Sequence, residues 1–281
     1  MRTSTFVSTL LSSLLALAFS GPALAADSTG SVIKAIEAKD CVAAVRELNL
    51  ALATGTPEAL MLGGAMFEQG LCLKPNLERA ARFYLRAGDA GAASARARQA
   101  ALYALPAAGP DKGAALWWGM QADLPLPKGC IVDKEIRGNA ERFAQVLSSW
   151  PAGQLEACVY VTGVLASLDA EFVLKPYSPD AVGMNFEPAS GKLDFQAGKQ
   201  VVALIDNSPR VTSTNSLFAS NNVTQSATPE QMQALQAQEN RQTLVKRAET
   251  VGKNALARYP KPNGISTEWR VQMSVDSARV Q

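Results

Sequence analysis

The side chains available for catalysis are restricted by one absence, because the 281-residue chain contains no histidine. Serine–histidine and cysteine–histidine nucleophiles, HExxH metal sites and histidine-liganded zinc or haem are therefore excluded. Catalysis would need a carboxylate pair, a lysine or tyrosine base, or a metal ion held by carboxylates. Asp169 and Glu171 are the candidate pair, since we expect them on one face of a strand. Two carboxylates at this spacing more often mark a solvated face, so an ordinary hydrolase is not predicted.

Cofactor and nucleic-acid binding also find no support in the motifs or the charge. The chain has no glycine-rich phosphate loop, no dinucleotide-binding fingerprint and no EF-hand spacing. It has 27 Lys and Arg against 25 Asp and Glu, a formal net charge of +2, and no dense basic run. Nucleic-acid-binding proteins usually concentrate positive charge in one patch or segment. We therefore predict no cofactor, no metal and no nucleic-acid partner.

The four cysteines, Cys41, Cys72, Cys130 and Cys158, are the remaining reactive side chains. None lies in a CxxC motif, and their wide spacing fits no compact metal knuckle, although a zinc site formed by all four is an alternative. An even number of cysteines in a secreted chain indicates two disulfides, which stabilise the fold and take no part in chemistry. Four cysteines allow three pairings.

Residues 1–25 have the pattern of a secretory signal peptide. Arg2 provides a positive start, an apolar stretch with Ser and Thr follows at 6–19, and a small-residue cleavage site ends at Ala25. The alternative is a membrane anchor, for which the apolar stretch is short. No cysteine lies near the cleavage site, so a lipoprotein is not indicated. We predict cleavage after Ala25 and a periplasmic protein, residues 26–281, with no stable membrane anchor.

The N-terminal half contains an internal repeat. Phe83-Tyr84 recurs as Trp117-Trp118 and Ala80 recurs as Ala114, each 34 residues later. A period of this length is typical of stacked helix–turn–helix units, in which small residues let paired helices approach closely.

The best copy of the repeat runs from Ala59 to Gly91 and resembles the Sel-one-like repeat, a relative of the tetratricopeptide repeat. The matching positions are Ala59, Gly64, Met66, Gly70, Ala80, Phe83, Tyr84, Ala87 and Gly91. The copy departs from the family pattern at Phe67, Cys72 and Gly88. With its weaker flanking copies the resemblance covers residues 31–123, and it implies an α-solenoid of helical hairpins whose concave face binds a protein or peptide.

An amphipathic pattern from Lys134 to Ser149, ended by Trp150-Pro151, predicts a helix that caps the repeats. The predicted helical-repeat domain therefore spans residues 26–150. Locally stacked units favour disulfides between nearest neighbours, Cys41 with Cys72 and Cys130 with Cys158, among the three pairings.

Residues 151–281 predict a small α+β domain with a mostly antiparallel sheet. Polar alternation predicts strands at 159–162 (with a helix over 159–166 as the alternative), 170–174, 182–186, 193–195, 201–205 and 269–276. Thr228-Pro229 predicts the start of a helix that ends at Tyr259-Pro260, preceded by a polar mobile loop at 207–228. The segment from Tyr259 to Ile265 is faintly similar to the C-terminal domain of TonB and TolA, and no functional residue is transferred from it.

Partner binding is the function that these patterns favour. We predict that Tyr84, Arg86, Trp117 and Trp118 contribute to a partner-binding face, although aromatic pairs at repeat spacing more often belong to a core. The neighbouring charges Glu78, Arg79 and Arg82 are more often solvated helix surface. The resulting hypothesis is a periplasmic adaptor or scaffold that is not an enzyme. The alternatives are an immunity protein that neutralises a secreted toxin and a cell-envelope enzyme with a carboxylate-based site.

Overall fold

A computed structural model of the chain describes residues 23–106, 111–151, 153–179, 181–197, 200–205 and 229–275. This part is mostly helical, with a small five-stranded antiparallel sheet on its C-terminal side. Its helices are α1 (Ala23–Glu37), α2 (Cys41–Thr54), α3 (Pro57–Gln69), α4 (Leu77–Asp89), α5 (Ala95–Tyr103), α6 (Lys112–Gln121), α7 (Lys134–Arg137), α8 (Ala140–Ser148), α9 (Gln154–Phe172) and α10 (Pro229–Arg258). Its strands are β1 (Leu174–Pro176), β2 (Val182–Glu187), β3 (Lys192–Ala197), β4 (Gln200–Ile205) and β5 (Val271–Val275). Most of the predicted signal peptide, the predicted loop at 207–228 and the predicted cap Thr228 lie outside the described residues.

The ends of the N-terminal helices are set by capping residues. Asp40 begins α2 by accepting the backbone N–H of Ala43 at 2.9 Å, and Asn76 begins α4 by accepting the N–H of Arg79 at 2.8 Å. Gly70 ends α3 with a φ of 72°, a left-handed conformation that glycine adopts without steric cost. Capping residues therefore divide this half of the chain into short helices.

The first six helices form three hairpins that pack in chain order. Helix α1 packs against α2, α3 against α4, and α5 against α6, with further contacts of α2 with α3 and of α4 with α5. The closest approach within a hairpin is at Gly64, where a β-carbon would lie 2.4 Å from Cε1 of the Tyr84 ring. The expectation that small residues let the paired helices approach closely is confirmed at this position.

Two disulfides join neighbouring parts of the fold. Cys41 at the start of α2 is bonded to Cys72 in the turn after α3, and Cys130, in a 3₁₀ helix after α6, is bonded to Cys158 on α9. The nearest-neighbour pairing is therefore confirmed, and the alternative of a four-cysteine zinc site is wrong because no cysteine remains free. Two disulfides fit a secreted or periplasmic protein.

Helix α9 confirms the alternative of a helix over 159–166 and corrects the prediction of strands at 159–162 and 170–174, because the helix continues to Phe172. Ten successive residues, 157–166, are buried. A helix that is covered on every side has no polar stripe, and its sequence is then hard to distinguish from a buried strand. The helix predicted over 134–149 is also corrected, because Asn139 accepts the N–H of Arg142 at 3.0 Å and starts α8 as a separate helix.

The sheet has the strand order β1-β5-β2-β3-β4, and all of its neighbours are antiparallel. The predicted hairpin at 182–195 is confirmed as β2 and β3, with Met184 opposite Phe195. One face is apolar and packs on the helices: Tyr160 of α9 lies with its ring centroid 6.1 Å from that of Phe186 on β2. Helix α10 contacts β2, β3 and β4.

The largest hydrophobic core extends from α4, α5 and α6 into the sheet, and two smaller clusters lie among α1–α3 and among α3–α5. Helix α9 connects the two regions, because it packs against α5 and α6 on one side and against α10 on the other. The N-terminal hairpins are therefore held against the C-terminal elements by shared apolar packing.

The close approach at Gly64 can be tested by two neighbouring glycine substitutions. Gly64→Ala is expected to lower the free energy of unfolding by about 1–3 kcal/mol, because its β-carbon overlaps the buried Tyr84 ring. Gly63→Ala is the matched control, since its β-carbon would lie 3.3 Å from the partly exposed Phe83 ring, and alanine favours the helix by up to about 1 kcal/mol. Urea denaturation compares the two variants. Equal effects at the two positions would contradict the packing described.

Candidate functional site

The four residues predicted to bind a partner do not form one surface. Tyr84 is fully buried, so its predicted contact with a partner is wrong. Trp117 and Trp118 are partly buried against the core, with their rings edge-to-face at a centroid distance of 4.7 Å. The Trp117 Nε1–H donates to the carbonyl of Arg137 at 3.3 Å. Arg86 is exposed on α4.

The predicted carboxylate pair is also absent. Asp169 and Glu171 lie in the last turn of α9, and residues two apart on a helix do not face each other. Asp169 Oδ1 accepts the backbone N–H of Leu174 at 2.7 Å and holds the turn into β1. Glu171 binds Arg98 of α5 and Arg247 of α10. The expectation of a shared strand face is therefore wrong, and each carboxylate has a separate structural contact.

Glu68 on α3 is the most enclosed ionised group at the junction between the two halves. Its side chain is 3% exposed, accepts the Tyr84 hydroxyl hydrogen at 2.6 Å, and forms an ion pair with Arg258 of α10. Burial, followed by the nearby charge of Glu68, raises the pKa of Tyr84 well above its ordinary value. Tyr84 therefore remains protonated as a hydrogen-bond donor and is unsuited to act as a base.

A second ionic link lies between the same regions. Glu171 of α9 binds Arg98 of α5 and, at 3.2 Å, Arg247 of α10. The Arg247 guanidinium also lies 5.5 Å from the centroid of the Phe172 ring. Glu171 and the two arginines therefore form ion pairs with one another. These pairs connect α5, α9 and α10, and none of the three side chains is placed for proton transfer.

A cleft of about 310 Å³ lies beside this link, between α1, α3, the turn before α5, the end of α9, and Arg247 of α10. Its polar side chains are Thr29, Glu58, Ser94, Glu171 and Arg247, and the rest of the lining is small or aliphatic. Glu171 and Arg247 already pair with each other. The cleft therefore presents polar groups of mixed character with no concentration of one charge.

The strongest candidate for binding is a groove between α2 and α4, which we call the α2–α4 groove. It has a volume of about 400 Å³. It is lined by Val45, Leu48, Asn49, Leu52, Phe67, Leu73, Arg79, Arg82, Phe83 and Arg86. Three arginines stand beside apolar side chains, and no carboxylate lines the groove. Its chemistry suits a ligand that has both apolar and anionic groups.

Of the predicted partner-binding residues, only Arg86 lines this groove. Arg79 and Arg82, which have the sequence pattern of solvated helix surface, also line it, together with α2 residues for which no binding role is predicted. The 34-residue spacing in the sequence relates the residues of the two walls. The groove positions 79, 82, 83 and 86 each lie 34 residues after 45, 48, 49 and 52, so both walls use equivalent positions of successive units.

No family model, curated protein or solved structure matches this chain. Among the described residues, no helix is long and apolar enough to cross a membrane. The same part of the chain contains no group of three acidic or cysteine side chains placed to hold a metal ion.

The turn at Asp169 gives an expected pH dependence. Burial raises the pKa of Asp169 from 3.8 to about 6, so between these values the folded chain binds more protons than the unfolded chain. The contribution of Asp169 to the free energy of unfolding therefore falls as the pH rises from about 4 to about 6. Asp169→Asn retains the acceptor for Leu174 without the charge, and is expected to be more stable than the parent at pH 8 by about 1–3 kcal/mol, with little difference at pH 4.

Urea denaturation across this pH range measures the effect. Asp169→Ala is the control, because it removes the charge and also leaves the Leu174 N–H without its acceptor. It is expected to be less stable than Asp169→Asn at every pH. A gain for Asp169→Asn that is the same at pH 4 and pH 8 would contradict the buried-carboxylate explanation.

The ion pair between Arg258 and Glu68 can be compared with an exposed pair elsewhere in the fold. Arg258→Gln leaves a buried carboxylate without its cation and is expected to cost about 2–4 kcal/mol of unfolding free energy. Arg82→Gln breaks the exposed Arg82–Glu78 pair and is expected to cost less than about 1 kcal/mol. Thermal and urea unfolding measure both variants. A similar small cost for the two would show that Arg258 does not anchor α10.

Proposed function

We propose that this protein is an adaptor of the periplasm or cell envelope that binds a segment of another protein in the α2–α4 groove. The observation that carries the proposal is the side-by-side placement of an apolar wall and three exposed arginines. Isolated arginines are common on protein surfaces, whereas an apolar groove bordered by arginines has the composition enriched at protein interfaces.

The covalent and ionic contacts support a rigid platform for such binding. The Cys41–Cys72 disulfide joins α2 to the turn after α3, so the two walls of the groove are connected through a covalent link. The Glu68–Arg258 pair then ties α3 to α10. A wall that is held in place before binding loses less conformational entropy when a partner docks.

The resemblance to Sel-one-like repeats and the signal-peptide pattern agree with this proposal. Three packed hairpins offer a scaffold of the kind that repeat proteins use for protein binding. Export of residues 26–281 would also give the cysteines an oxidising compartment in which to pair. An enzymatic role receives less support, because Asp169 and Glu171 do not converge and Tyr84 is held as a donor.

Site-specific photocrosslinking tests the location of binding. A photoreactive amino acid at Asn49, which is exposed and lines the groove, is expected to form an adduct with a protein in the native cells. The matched position is Leu50, which is 60% exposed on the same helix but outside the groove. The double change Arg82→Glu and Arg86→Glu is expected to remove most of the adduct, whereas Arg46→Glu outside the groove is expected to leave it unchanged.

Gel shift and mass spectrometry identify the adducts. Crosslinks from position 50 and not from position 49, or adducts that survive the double charge reversal, would overturn the proposed site. One dominant partner captured from position 49 would favour the immunity form of the proposal, and several partners would favour a scaffold.

A further inference from the structure

The two walls of the α2–α4 groove have the same helical spacing and opposite chemical character. On α2, Val45, Leu48 and Leu52 provide an aliphatic wall at positions i, i+3 and i+7. On α4, Arg79, Arg82 and Arg86 provide a cationic wall at the same spacing. Residues at these intervals lie along one face of a helix, so each wall is about 10 Å long, or two helical turns.

The floor of the groove is aromatic and partly exposed. The rings of Phe67 and Phe83 stack with centroids 5.6 Å apart, and the Arg79 guanidinium lies 5.5 Å from the Phe67 ring centroid. This cation–π contact holds the Arg79 head group over the floor without using its hydrogen-bond donors on a carboxylate. The Arg79 guanidinium therefore lies at the groove, and its N–H donors remain available to a ligand.

Two of the three arginines of the cationic wall have no ion-pair partner in the part of the chain that the structure describes. Within the described residues, Arg82 pairs with the exposed Glu78, while Arg79 and Arg86 form no ion pair. A guanidinium binds a carboxylate through two parallel hydrogen bonds, which makes carboxylates its best-matched protein ligand. The wall therefore favours a partner with acidic side chains about one helical turn apart.

The backbone of the groove favours a helical partner over an extended one. Both walls belong to helices, whose backbone groups are already paired within each helix. Binding of an extended segment by strand addition needs an open strand edge, and the groove provides none. A helix satisfies its own backbone and needs only side-chain contacts.

On the premise that the groove binds a protein segment, we infer that the segment is an amphipathic acidic helix. Its aliphatic side chains lie against the α2 wall and the Phe67–Phe83 floor, and its Asp or Glu side chains at helical spacing bind Arg79, Arg82 and Arg86. Nucleic acid fits less well because the aliphatic α2 wall would face a polar sugar–phosphate backbone, even with a base stacked on the Phe67–Phe83 floor.

Selection from a displayed library of random 16-residue peptides on the purified mature protein tests this inference. Enriched peptides are expected to combine Leu, Ile or Met with Asp or Glu at i, i+3 or i+4, and i+7, and to become helical on binding by circular dichroism. A synthetic version of the most enriched peptide then serves as the probe in fluorescence anisotropy. Its affinity is expected to fall at least tenfold for the variant Arg79→Glu, Arg82→Glu and Arg86→Glu, and to weaken with added salt.

The control variant is Arg46→Glu, which changes an exposed arginine of α2 outside the groove by the same charge and is expected to retain full affinity. Replacing the peptide's Glu with Lys is expected to weaken binding to the parent and to restore part of the binding to the Arg-to-Glu variant. Because all three arginines are exposed, circular dichroism is expected to show an unchanged fold in the variant.

The remaining outcomes separate this inference from the proposed function. Enriched peptides that need the groove but lack acidic residues, or that bind in an extended form, would overturn the acidic-helix inference and leave protein binding intact. Peptides whose binding is insensitive to the groove substitutions, or no enriched peptide, would overturn both. Groove-dependent binding to phosphatidylglycerol vesicles in place of peptides would assign the groove to anionic lipid and overturn both.

Discussion

The burial of α9 on every side is the constraint on which the rest of the structure depends. This helix packs against α5, α6 and α10, and its Tyr160 also meets Phe186 of the sheet. Gly163 permits the contact with α10's end, since a β-carbon there would lie 2.5 Å from Cδ1 of the Tyr259 ring. Helix α9 thus links the hairpin helices α5 and α6 to α10, and α10 in turn packs on β2, β3 and β4.

Polar contacts around α9 fix the register of the packed helices, which apolar packing alone does not. The Tyr259 hydroxyl donates to the carbonyl of Ala101 at 2.7 Å, and the Arg258–Glu68 and Arg247–Glu171 pairs flank it along α10. Apolar surfaces slide past one another at little cost, whereas buried hydrogen bonds and ion pairs have one favourable register. These contacts therefore determine where α10 lies along α3, α5 and α9.

Local signals in the sequence predicted local structure well. Asp40, Gly70 and Asn76 cap α2, α3 and α4 through interactions within a few residues, so the ends of these helices depend on local sequence. The β2–β3 hairpin was predictable for the same reason. The helix at residues 157–166 is not evident from the sequence, because a helix buried on all sides lacks the amphipathic period and the partners that bury it are distant in the chain.

The candidate site was predicted less well, because the set of side chains that line it depends on which helix faces are covered by other elements. Tyr84 and Phe83 are adjacent, yet Tyr84 turns inward to Glu68 while Phe83 turns to the groove. Arg79 and Arg82 have the ordinary pattern of solvated helix charge until α2 is placed beside them. The 34-residue offset between the two walls was present in the sequence, but only the packing of α2 near α4 turns that offset into a groove.

The chemistry of the α2–α4 groove differs from that of the next unit along the chain. The positions 34 residues after Arg79, Arg82 and Arg86 are Gly113, Leu116 and Met120, which carry no charge. Leu116 and Met120 are buried in the core beside α9, whereas the three arginines remain exposed. Where α9 covers a hairpin, the equivalent positions are apolar and serve folding. Where the surface is open, they are cationic, and Val45 and Leu52 opposite them remain partly exposed.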